Sequence, residues 1–235
     1  MNKKFAKLLI SNFGQKYSEI LGINLSNRDE GEIFKWFLAS VLLGAPLTET
    51  AVIKPYKCFE KRKVLTPQKI LKVGWDGLVR TLDEGSYTRY DFKTADKFLE
   101  VMDILVTKYE GNLNLLHEQA TDSSDVEKRL KELGKGIGDV TVGIFLRELR
   151  GIWEKANPKP TPLVVLAAKN LRIAKEKNPQ EVLQELERFG TKNKVNEKDF
   201  VNLETALLRI GKDFCRKMKC RRCKLRRFCS ITALA

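Results

Sequence analysis

Histidine is nearly absent from this 235-residue chain, alternating apolar–polar stretches are almost as rare, and long apolar runs and low-complexity tracts do not occur. The one histidine, His117, has no sequence neighbour to partner it, so it is expected at the surface and histidine acid–base catalysis is not the expected basis of function. The longest uncharged stretch with bulky apolar residues, Trp36 to Thr48, falls short of the roughly 20 residues a bilayer-spanning helix needs, so no membrane partner is expected. At the N-terminus Lys7 interrupts the apolar residues and only Leu8, Leu9 and Ile10 follow, which is no signal-peptide core. The expected location is the cytoplasm, nucleoid-associated in a prokaryote. Cysteine is scarce too, with five residues, of which four crowd into the last 21 positions. That distribution excludes a secreted disulfide scaffold and suggests a metal site.

Apolar residues at three- and four-residue spacing recur through the chain, as in Phe98, Val101, Met102 and Leu105, and predict an all-α fold of about ten helices. Apolar residues make up 43% of the sequence, enough to fill a core, and the length allows one large domain or two small ones. Thr66-Pro67 predicts a helix start and Gly74 its end, Ser124 with Glu127 predicts a capping box, and Asn196 predicts the cap of a helix carrying Phe200, Leu203, Leu207 and Ile210. Between Gly151 and Pro162 three prolines predict an exposed, stiff loop.

Basic residues outnumber acidic ones by 44 to 30, a net charge of +14. In Leu133–Thr141, with glycines at 134, 136 and 138, two predicted helices meet across a turn that leaves amides and a helix N-terminus uncovered. Such a terminus binds anions, and phosphate is the anion a basic protein most often meets, so Lys135, Gly136, Ile137, Gly138 and Thr141 are candidate DNA-backbone contacts. An ordinary αα-corner is the alternative. Tyr87, Arg89 and Tyr90 interleave aromatics with a cation and suit insertion into a DNA stack; the alternative is core packing for one tyrosine and exposure for the other.

Cys215-x4-Cys220-x2-Cys223-x5-Cys229 gathers four soft thiolate ligands on one short loop. Zinc ribbons pair two C-x2-C knuckles; one is present here, so the spacing favours an iron–sulfur cluster, with zinc the alternative. Nine Lys and Arg against Asp213 alone lie between positions 212 and 227, a charge that would offset a thiolate-bound cluster and face phosphates. Cys58 lies outside the motif as a small core residue.

Gly136-Ile137-Gly138, with Leu133 before and Thr141 after, resembles the helix-hairpin-helix of the endonuclease III superfamily of base-excision DNA glycosylases. Leu42–Thr48 looks like the end of that family's first core helix, and Tyr90 to Ala95 like its Tyr-x-x-Lys-Ala region, so the resemblance covers roughly residues 30–229. The family's cysteine loop, C-x6-C-x2-C-x5-C, holds [4Fe–4S]; this chain matches the last two intervals and is two residues shorter in the first. The resemblance implies a two-lobed helical fold, with residues 30–150 a six-helix lobe ending in the hairpin and residues 1–29 with 151–235 a terminal lobe carrying the cluster. It also implies a monomer acting on double-stranded DNA with a damaged base.

The family's catalytic residues are not carried over. Its lyase lysine corresponds to Val140 and its aspartate to Thr161, and Pro46 stands where several members carry Gln. No Asp lies between Asp139 and Asp199, so the candidate carboxylates are Asp139 and Glu154; the alternatives are a first-turn residue favoured by the helix dipole and a solvated loop residue. The expected function is therefore a monofunctional glycosylase removing damaged bases, alkylated or deaminated, with alkylated purines favoured because their positively charged or labile glycosidic bonds need little acid assistance. The rivals are an inactive damaged-DNA-binding protein of the same fold and, more distantly, a zinc-bearing nucleic-acid adaptor.

Overall fold

The computed structural model describes residues 3–231. Among them the chain is all-helical: α1 (Lys3–Phe13), α2 (Tyr17–Leu21), α3 (Glu30–Leu43), α4 (Glu49–Lys61), α5 (Pro67–Glu84), α6 (Asp91–Tyr109), α7 (Leu113–Gln119), α8 (Ser123–Lys131), α9 (Asp139–Glu148), α10 (Pro162–Asn170), α11 (Pro179–Lys192) and α12 (Phe200–Ile210). The only strand-like pairing among the described residues is an isolated bridge, Arg150 to Trp153. Among the described residues no helix is long and apolar enough to cross a membrane. The chain separates into two units, residues 21–158 and residues 1–20 with 159–235.

In the 21–158 unit α3 is the central element. Its run from Trp36 to Leu42 is buried on every side, which is why the sequence there carries no charge: an interior helix, like a membrane helix, has no face for water. The buried Trp36 indole donates to the carbonyl of Phe145 at 3.0 Å, and the Phe37 and Phe145 rings meet edge to face at 5.2 Å, fastening α3 to α9. A side chain at Gly44 would collide with the Thr141 hydroxyl, so the missing Cβ lets the end of α3 lie against the start of α9.

In the other unit α1, α10, α11 and α12 enclose Phe5, Leu9, Val164, Ala167, Leu186, Leu203 and Leu207. Its two stretches, far apart in sequence, are stitched by polar contacts as well. Asn202 donates to the Gly14 carbonyl at 2.7 Å, Lys16 pairs with Asp199 at 2.5 Å, and the Arg209 guanidinium lies 4.5 Å over the Tyr17 ring.

Several helix ends differ from the sequence expectation. Thr66 and Pro67 do start α5, but Gly74 only breaks it, at φ 67° and ψ 179°, and the helix resumes to Glu84. The cap of α8 is Asp122, whose carboxylate accepts from the Asp125 amide at 2.9 Å, not Ser124. Asp199 and not Asn196 caps α12, in a reciprocal box with Asn202. At both caps a nearby aspartate accepts the orphan amide in place of the expected residue, and its charge also gains from the helix dipole.

Candidate nucleic-acid interface and cysteine loop

Helices α8 and α9 are joined by a turn that Leu133 and Ile137 anchor in the interior. Gly136 sits at φ 83°, a backbone conformation that favours glycine, and packs against the end of the Lys97 side chain on α6. Two turn amides are used within the chain: Lys135 N–H donates to Glu100 Oε1 at 3.1 Å and Ile137 N–H to the Gly134 carbonyl at 3.2 Å. What the turn offers outward is the start of α9. Gly138 caps it without a side-chain hydrogen bond, nothing would lie within 4 Å of a Cβ there, and the amides of Asp139, Val140 and Thr141 are the unpaired donors of a first helical turn. Lys135 is exposed beside them. Lys97 is half-buried, and that burial pulls its ammonium below the usual lysine range.

The other candidates separate by burial. Thr141 is 3% exposed with its hydroxyl against Gly44, so only its backbone amide can reach a ligand. Tyr87 is buried and donates to the Leu42 carbonyl at 3.4 Å, which removes it as an inserting side chain. Tyr90 is half-buried, with the exposed Arg89 guanidinium 5.4 Å over its ring. Asp139 is 89% exposed on its side chain and pairs with Lys131 at 2.5 Å across the two hairpin helices. Glu154 is exposed, and Thr161 is committed as the cap of α10, accepting from Val164.

His117 is not at the surface. It is 4% exposed, stacked on Trp153 with ring centroids 4.7 Å apart, and its Nε2 accepts from the Lys155 amide at 3.3 Å. Lys155 Nζ reaches the His117 carbonyl at 3.0 Å, and Trp153 donates to Asn114 Oδ1 at 2.9 Å, so the start of the proline-rich segment is fastened onto α7. Burial first, then the positive charges of Lys155 and Arg28, hold the imidazole below its ordinary range. No local signal in the sequence marks this burial, because the partners Trp153 and Lys155 lie almost 40 residues downstream.

The last helix, α12, runs into a π-helical turn, Gly211–Cys215, pressed against the Leu163 backbone at the start of α10, where a Cβ on Gly211 would collide. Beyond it the loop is held by apolar anchors: Leu225 is fully buried, Phe228 lies 4.8 Å from Phe5, and Phe214 lies 5.8 Å from Phe13. Ser230 N–H closes the loop onto the Asn170 carbonyl at 2.8 Å. All four loop cysteines are reduced and half-buried. Burial pushes the Cys215 and Cys223 thiols up, and the nearby cysteines push them further; hydrogen bonds from Asn170 to Cys215 and from the Leu225 amide to Cys223 act the other way. Among the described residues no group of three His, Cys, Asp or Glu is gathered as a site for a single metal ion. The donor set nevertheless fits a thiolate-bound centre: four soft ligands, two supported by hydrogen bonds, on a partly apolar wall. Outward, Arg216, Lys217, Lys219, Arg221, Arg222, Lys224, Arg226 and Arg227 are all exposed.

No protein-family model matches this chain, and no curated protein matches its sequence.

Proposed function

We propose that the chain is a DNA-binding repair protein of the endonuclease III superfamily type, a monofunctional glycosylase acting on duplex DNA that carries an alkylated or deaminated base. The observation that carries this reading is the α8–α9 turn: a glycine-bounded helix start with open amides and an exposed lysine beside it, where the carboxylate of Asp139 pairs with Lys131 and that of Glu100 accepts from the Lys135 amide. Amides fixed in this way bind a backbone phosphate without reading sequence, the role expected of a positioning element. Cys215, Cys220, Cys223 and Cys229 would hold a [4Fe–4S] cluster, with zinc the alternative; bound there, it would fix the shape of the loop rather than take part in bond cleavage. The eight exposed cations around it would then meet phosphates at set positions.

Catalysis in this reading depends on the leaving group. An alkylated purine departs from its sugar with little help because the base already carries positive charge, so extrusion from the stack is the larger part of the work. Val140 offers no amine, and a covalent imine with the sugar is not expected.

A second reading, a damaged-DNA binder without chemistry, is favoured by one observation. Neither candidate carboxylate is held in a pocket: the Asp139 side chain is 89% exposed and paired with Lys131, and Glu154 is exposed. Incubating the protein with duplexes bearing single alkylated, deaminated or oxidised bases, with and without hot alkali, separates the readings. Breaks only after alkali support the glycosylase; breaks without alkali reveal an unlocated nucleophile; tight binding without breaks selects the binder.

A further inference from the structure

Four large hydrophobic side chains among the described residues stand in solvent, and two of them touch: Trp75, 36% exposed, and Phe92, 56% exposed, have ring centroids 5.1 Å apart at 46°. The pair is built rather than scattered. Gly74 breaks α5 immediately before Trp75 in a backbone conformation that glycine alone adopts easily, and the Trp75 indole N–H donates to Asp96 Oδ1 at 2.8 Å, fixing the ring. Phe92 lies off the stripe of Ala95, Phe98, Met102 and Leu105 that α6 buries.

We propose that Trp75 and Phe92 form a stacking platform for an unpaired nucleobase of a DNA strand held at the α8–α9 turn, an inference that rests on the DNA-binding reading of that turn. Phe92, Asp96 and Glu100 follow at four-residue spacing on one side of α6, and Glu100 is the residue that grips the Lys135 amide. The platform and the turn therefore share a side of α6 at a separation of about 12 Å along the helix, three to four steps of a stacked strand. The two carboxylates along this path accept hydrogen bonds from the chain itself: Asp96 from the indole N–H and Glu100 from the Lys135 backbone amide. Lys93 and Lys97 flank the path as cations. A flat aromatic surface beside lysines suits the face of any base, which gives affinity without sequence preference.

Trp36 and Trp153 are buried, so Trp75 is the only solvent-exposed tryptophan and reports on its own contacts. The 235-residue protein, as purified, is titrated with an intact duplex and with the same duplex carrying a short single-stranded gap, following tryptophan emission and affinity. The expected result is quenching by gapped DNA alone. Replacing both rings, Trp75→Ala with Phe92→Ala, should weaken gapped-DNA binding on the order of tenfold and leave intact-duplex binding unchanged, while Trp75→Phe keeps the preference. Duplex binding with no quenching and no effect of the double variant overturns the platform and leaves the turn's reading standing. No binding to either DNA overturns both. Quenching that grows with protein concentration in the absence of DNA also overturns it, since a second copy would then cover the pair. If the double variant fails to fold, quenching of the unaltered protein decides.

Discussion

At His117 and Gly44 single side-chain environments set measurable properties. The imidazole is buried and its pKa is held below the ordinary value, so the folded protein resists a proton that the unfolded chain accepts near pH 6.5. Stability is therefore insensitive to this group well above that pH and falls as pH drops through it, continuing down to the depressed folded value. A His117→Gln variant should show a flatter stability–pH slope between neutrality and pH 5.5, by up to about 1.4 kcal/mol per pH unit. Denaturant titrations at several pH values measure it, and an unchanged slope would contradict the buried geometry. At Gly44 the space beneath the Thr141 hydroxyl admits no Cβ. Gly44→Ala should cost about 1–3 kcal/mol, and adding Thr141→Ala should recover part of that loss, because the second change removes the colliding oxygen.

At the scale of the element, the cysteine loop has too little regular structure to hold itself. A π-helical turn and two three-residue helices run from Gly211 to Phe228, and Leu225 is fully buried. Leu225→Ala should cost about 2–5 kcal/mol and loosen the loop even with metal retained. Iron, zinc and sulfide analysis of the purified protein tests the ligand set directly: a brown preparation with iron and sulfide is expected, and Cys223→Ala should lose both. The exposed arginines make a separate prediction. Replacing Arg221 and Arg222 with Gln should weaken DNA binding and reduce the slope of log affinity against log salt by about 0.9 for each phosphate contact removed. An unchanged slope would take the loop out of the interface.

Over the whole molecule, the N-terminal residues belong with the C-terminal ones, through Phe5 and Leu9 in the core and through the bonds of Gly14, Lys16 and Tyr17 to α12. Removing residues 1–20 should therefore unfold the cysteine-bearing unit, seen as loss of helical circular dichroism. Helical class, the absence of a membrane-crossing helix, the helix–turn–helix at 133–141 and the crowding of cysteines were all readable from local signals: apolar spacing, glycine placement and residue identity. Those signals act over a few residues and depend on no distant partner. Burial of His117 and Tyr87, the collision that keeps position 44 glycine, the Lys97 and Glu100 side chains beneath the turn and the exposed Trp75–Phe92 pair were settled only by tertiary packing. Each depends on which helix face meets which neighbour, and sequence periodicity marks an apolar face without naming what covers it.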